Sequence, residues 1–167
     1  STSKAELTDI SLYDHVKLTA AIACCIYDYL NEKQVGYKET LFHKEKEFYE
    51  EHAFVMCSLD VSGIQNFIYT ITSKNALRTL RARSFYLEIM MEHMVDLLLD
   101  KLELSRANLI YSGGGHCYLL LPNTENTVKT LLKFKQEMNT WFLKYFQTEL
   151  FIAFGYVACS ANALRNV

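Results

Sequence analysis

The stretch from Leu109 to Asn123, LIYSGGGHCYLLLPN, limits the possible folds more than any other part of the chain. Two apolar runs rich in Ile, Tyr and Leu flank Ser112-Gly113-Gly114-Gly115, and the only proline, Pro122, follows the second run. Apolar runs that bound a glycine cluster are a β-hairpin signal. A two-residue hairpin turn calls for one or two glycines at positive φ. Three in succession leave one over, and a surplus glycine marks a place where backbone and another body come close. The corner fits a tight turn alone. It equally fits a seat where backbone N–H groups meet a phosphate, or where a base and ribose lie flat. His116 follows at once, suited to touching a phosphate or simply to opening the second strand.

A chain of 167 residues, half of them apolar, can bury one good core, so one domain plus an appendage is expected. The net charge of −2 excludes a global basic field, and a polyanion would have to be met by a local patch. No apolar span reaches the roughly 18 residues that a membrane helix needs, so no membrane partner is expected. The first apolar run starts near Leu18 behind an acidic approach, which is unlike a signal peptide. Five cysteines (Cys24, Cys25, Cys57, Cys117 and Cys159) are odd in number and show no metal-ligand spacing. Three of them sit in apolar strands, which points to buried reduced thiols and a cytoplasmic setting. The chain starts STSKAEL without methionine and ends ALRNV directly after a strand, as expected of a piece of something larger.

Asp9-Ile10-Ser11 suits a helix start, and Leu12, Val16, Ala20, Ala23 and Ile26 then recur at helical spacing through Leu30. Asn31 to Lys38 is polar and reads as a turn. Glu39 to His52 carries seven charged residues, with Leu41-Phe42 and Phe48-Tyr49 as its anchors, and reads as a solvated helix or irregular connector. A domain boundary near residue 50 follows, separating 1–50 from 51–167. From Ala53, AFVMCSLDV is a strand, ending in Asp60-Val61-Ser62-Gly63 before a short helix from Ile64 to Ile71. Thr72 to Asn75 breaks that helix, and a long amphipathic one follows from about Ala76 to Lys101. Strands at Ala107–Tyr111 and His116–Leu121, a helix opened by Thr124 and running to about Phe146, and a strand at Leu150–Cys159 complete the series. The order β-α-α-β-β-α-β predicts an α+β, ferredoxin-like sandwich: a four-stranded antiparallel sheet with helices on one face, preceded by a helical segment.

Asp60 near the end of the first strand would face the hairpin tip in such a sheet. There it suits either a divalent metal ligand or the N-cap of the following helix. Arg78, Arg81 and Arg83, with Lys74, form the one basic cluster; Arg78 and Arg81 share a helix face and Arg83 is displaced from them. Phosphate or RNA-backbone contact is one reading of that cluster, and a solvated face or ion pair at a domain interface is the other. Asp14-His15 on the first helix has no further ligand nearby at helical spacing, so it cannot make a metal centre from this stretch alone.

Taken together, DISLYDHVKLTAAIA, FVMCSLDVSGIQNFIY, the RARSFYLE helix and NLIYSGGGHCYLLLPNT resemble the large subunit of type III-A (Csm-type) CRISPR interference complexes, in the same order and over nearly the whole chain. The resemblance implies an antiviral protein with an HD nuclease domain and two palm domains related to nucleotidyl cyclases. Target RNA paired to CRISPR RNA would switch on single-stranded DNA cleavage by the HD domain, and synthesis of cyclic oligoadenylate from ATP by the palm pair. It further implies partners among the other Csm subunits, CRISPR RNA, target RNA and single-stranded DNA, with Mg²⁺ or Mn²⁺ at the palms and a transition metal at the HD site.

Residue by residue, the resemblance is to the first palm. Asp60 corresponds to the first-strand acid, and Ser112, Gly113 and Gly114 to the hairpin tip. Gly115 and His116 stand where an active palm carries its aspartates. With Ser62 and Gly63, these residues would form half of an ATP pocket completed by the second palm. His15 corresponds to the last histidine of a permuted HD metal set, whose remaining ligands would lie upstream of Ser1. The resemblance thus implies 1–50 as the end of the HD domain plus linker, and 51–167 as the first palm, truncated at its C-terminus. The fragment alone is expected to be inactive. A purely structural palm, holding the HD domain, partner subunits and guide RNA without touching nucleotide, is the competing expectation.

Overall fold

The computed structural model describes residues 11–69 and 76–165. Four strands, β1 (Phe54–Ser62), β2 (Leu109–Gly113), β3 (His116–Pro122) and β4 (Phe151–Cys159), form one sheet in the order β2-β3-β1-β4. Every neighbouring pair is antiparallel. The six α-helices among the described residues are α1 (Leu12–Lys33), α2 (Glu45–Glu50), α3 (Ile64–Tyr69), α4 (Ala76–Lys101), α5 (Glu125–Phe146) and α6 (Ala161–Arg165). This is the expected α+β order with a helical segment ahead of it. The expected helix break at Thr72–Asn75 lies outside the described residues.

The pleat sorts β1 cleanly, because successive side chains alternate between faces. Val55, Cys57, Leu59 and Val61 point into the main core, where α4 contributes Leu87, Met91, Met94, Val95 and Leu98 and α5 contributes Leu131, Phe134 and Phe142. Thr124 caps α5 as the sequence predicts, its hydroxyl accepting from Thr127 N at 3.1 Å.

The opposite face of the sheet is divided. Its Phe54–Leu120 end is covered by α1 and α2 through a second core of Cys25, Tyr29, Leu30, Phe48 and Ala53. The helical segment therefore packs directly on the sheet. Polar ties reinforce the contact: both oxygens of Glu32 accept from Glu125 N at 3.0 Å, placing a carboxylate at the positive end of α5. Buried Asn108 donates to Leu120 O at 2.8 Å beside Cys25. In the connector Leu41 and Phe48 pack inward, whereas Phe42 and Tyr49, expected as anchors, are exposed. The connector opens with a π-helical turn at Glu39–His43.

The hairpin is more specific than its sequence pattern. Gly113 pairs with His116, so Gly114 and Gly115 alone make the turn, with φ of +62° and +84°. Both values match a type I′ turn, which suits the right-handed strand twist. Ala107 lies in a 3₁₀ turn, Arg106–Asn108, rather than in the strand. A bulge between Leu109 and Tyr111 adds one residue to β2. It leaves Leu109 in the core and turns Tyr111 onto the open face opposite Tyr118.

Candidate nucleotide site at the glycine hairpin

The far end of the second sheet face carries no covering helix among the described residues. There Asp60 pairs with His116 on one side and Ala153 on the other. His116 Nδ1 lies 3.4 Å from Asp60 Oδ1, and Ser62 Oγ donates to Asp60 Oδ2 at 3.4 Å. The His116 ring meets Tyr118 edge-on at 4.6 Å between centroids, and Tyr111 continues the row at 6.4 Å from Tyr118. Asp60 lies within β1, four residues ahead of α3, so it is not the cap of that helix. Its carboxylate is aimed at the hairpin, as the metal reading requires.

The metal reading nevertheless lacks donors. Among the described residues no group of three or more His, Cys, Asp and Glu converges on a possible ion. A pair of Mg²⁺ or Mn²⁺ ions prefers several carboxylate oxygens. Asp60, with one histidine and one hydroxyl, does not fit that need. His15, exposed on α1, likewise has no ligand set around it among the described residues.

Behind the hairpin, on the core side of the sheet, lies a cavity of about 430 Å³. One wall is α3, with Ile64, Gln65 and Ile68. The second is one stripe of α4, with Ser84, Leu87, Glu88, Met91 and Glu92 at spacings of three and four. The third is the backbone from Ser112 to Gly115. A volume of this size falls within the range of small-ligand sites, and here apolar and polar side chains share the walls.

The glycines have separate duties around it. A Cβ at Gly115 would overlap Ile64 Cδ1, and one at Gly63, where φ is +90°, would overlap the Glu149 carbonyl. Gly114 faces open space. Gly113, the surplus glycine of the sequence reading, sits under the Tyr111 hydroxyl on the open face. The corner thus brings bare backbone to both sides of the hairpin.

Glu92, which sequence reasoning missed, belongs to this site. Its Oε1 accepts from Ser112 Oγ at 3.1 Å, and Oε2 accepts from Arg106 Nη2. Arg106 also donates from Nε to Asp96 at 2.8 Å. Glu92 lies 20 residues from Ser112 in sequence, so no local motif could have joined them. The i, i+4 series Glu88, Glu92 and Asp96 was the only available signal.

The arginine cluster behaves differently from its helical-wheel expectation. Arg78 and Arg83 together border a shallow groove with Phe67, Thr79, Ala82 and Tyr86, and Arg81 does not. Arg83 donates to the Phe67 carbonyl and stacks 5.1 Å from the Phe67 ring centroid.

A four-stranded antiparallel sheet with helices on one face and a glycine hairpin between its second and third strands is the architecture of a palm domain. Comparison with known proteins agrees. Residues 53–167 match the family described as Csm1 subunit domain B. The chain is 55% identical to the CRISPR system single-strand-specific deoxyribonuclease Cas10/Csm1 (subtype III-A) of Enterococcus italicus, over 99% of this chain and 22% of that protein. It superimposes on a Csm1–Csm4 cassette in complex with pppApA with a TM-score of 0.78 and 32% identity, over 91% of this chain and 20% of that one. A Csm1–Csm4 cassette in complex with one ATP gives 0.76 and 32% over the same shares. The chain belongs to the Cas10/Csm1 family of subtype III-A CRISPR systems. It spans about a fifth of the length of the relatives it matches.

Proposed function

We propose that this chain is the first, degenerate palm of a type III-A CRISPR large subunit, preceded in residues 1–50 by the last helix of an HD domain. It seats one ATP at the boundary with the second palm and leaves activation of that ATP to the partner palm. The observation that carries this reading is the cavity under Ser112–Gly115, lined by apolar and polar side chains in similar measure and by bare glycine backbone, next to an open face holding a single acid. Such a seat can orient a nucleotide, and orientation alone lowers the barrier of a reaction between two bound nucleotides. The ATP carried by a similar cassette supports the same assignment.

The intact protein would then act in antiviral defence as a target-RNA-activated, single-stranded DNA nuclease and cyclic oligoadenylate synthase, assembled with other Csm subunits, CRISPR RNA and target RNA. Titration with ATP and Mg²⁺ tests the division of labour. This chain alone should bind ATP weakly and form no oligoadenylate, whereas a protein that also contains the second palm should do both. Turnover by this chain alone would refute the reading.

A scaffolding palm is the second reading, favoured by exposed Leu12, Tyr13 and Val16 on α1, which suit a protein contact. Gly114→Phe in the intact complex separates the two: an added Cβ meets nothing within 4 Å among the described residues, and the only local cost is the strain of a side chain at φ +62°. Unchanged oligoadenylate output, in a variant that stays folded and assembled in the complex, would favour scaffolding.

A further inference from the structure

We infer that Glu92 is the specificity residue of the cavity, accepting a hydrogen bond from the exocyclic amine of an adenine-type base. This inference rests on the nucleotide-seat reading above and extends it to the edge of the base that is recognised. Among the described residues no Lys or Arg lines the cavity, so these walls are better suited to the uncharged end of a nucleotide than to its triphosphate. Ile64, Ile68, Leu87 and Met91 supply the apolar surfaces a flat base needs.

Gln65 and Ser84 on the cavity walls can donate or accept, whereas the polar groups at the Glu92 corner only accept. A carboxylate only accepts, so Glu88 and Glu92 both ask for donors. Ser112 Oγ spends its single proton on Glu92, so its remaining lone pairs accept as well. Arg106 holds Glu92 from outside the cavity and is not among the residues lining it, so the carboxylate is oriented before any ligand arrives. An amine with two hydrogens can satisfy Glu92 and Ser112 together. A carbonyl in its place would set lone pairs against a carboxylate. Sites built to hydrogen-bond one group reject the analogue that cannot supply it.

The test is Glu92→Gln in the intact, target-activated complex, with kcat/KM measured for ATP and for inosine triphosphate, whose base carries a carbonyl in place of the amine. Glutamine keeps the shape and adds a donor. The preference for ATP should fall by about tenfold or more, with the melting temperature unchanged because the lost Arg106 pair is exposed. An equal fall for both nucleotides would overturn the inference while leaving the seat in place. A change confined to discrimination between ATP and 2′-deoxy-ATP would also overturn it, since the carboxylate would then be reading ribose. Kinetics insensitive both to Glu92→Gln and to plugging the cavity with Ser84→Trp would remove the nucleotide seat itself, and the inference with it.

Discussion

At the residue scale, the three glycines of the hairpin are not equivalent, although the sequence presents them as a run. Gly115 combines a positive φ with a side chain that already fills its Cβ position. Gly115→Ala should therefore destabilise the domain by about 1–3 kcal/mol, read as a lower denaturation midpoint at unchanged slope. Gly114→Asn should cost much less, because asparagine tolerates the left-handed region and nothing stands in its way. The thiols give a second residue-level prediction. Burial pushes Cys57 up to about 12 and Cys117 up to about 11, from an ordinary value of 9.0. Both stay neutral in the fold at a pH where the unfolded chain would ionise them. Because ionisation then favours the unfolded chain, their contribution to stability is complete below pH 9 and declines as pH rises through 9 towards 11–12. Urea denaturation between pH 8 and 11 should show that decline. At pH 8 an alkylating reagent should label exposed Cys24 and leave Cys57 and Cys117 untouched.

At the element scale, the sequence made some features legible and hid others for physical reasons. The helices α1, α4 and α5 declared themselves through apolar residues at spacings of three and four, and Thr124 declared its cap. The bulge in β2 did not, because a one-residue shift leaves no mark in a run as uniformly apolar as Leu109-Ile110-Tyr111. Yet that bulge turns Tyr111 onto the open face beside Tyr118. The packing of α1 on the sheet was equally silent. It depends on Cys25 and Asn108, 83 residues apart, meeting at the Leu120 carbonyl. Asn108 is wholly buried, and its Oδ1 has no partner among the described residues. Asn108→Ala should cost about 1–3 kcal/mol, because it leaves the buried Leu120 carbonyl with only the weak Cys25 thiol donor. Asn108→Asp should cost more, because it would bury a charge. Thermal melts of both variants, with α1 docking followed by protection of Cys25 from alkylation, check this ordering.

At the scale of the whole molecule, the chain joins two halves of different character. One sheet face is sealed by α4 and α5, and the other is shared between α1 and an open polar patch around Asp60 and His116. Fold and hairpin were readable because glycine spacing and strand periodicity are local. The cavity was only half readable: Ser112 to Gly115 announced it, while Glu92 enters through a tertiary contact and is held by Arg106 from outside. The central claim is a seat that holds a nucleotide and cannot activate it. Equilibrium counting of ATP bound to the intact large subunit tests that claim most directly, comparing the native protein with Ser84→Trp, which plugs the cavity. The expected result is the loss of one equivalent of ATP with the remaining equivalent bound as before. An unchanged count, in a variant that melts normally, would contradict it.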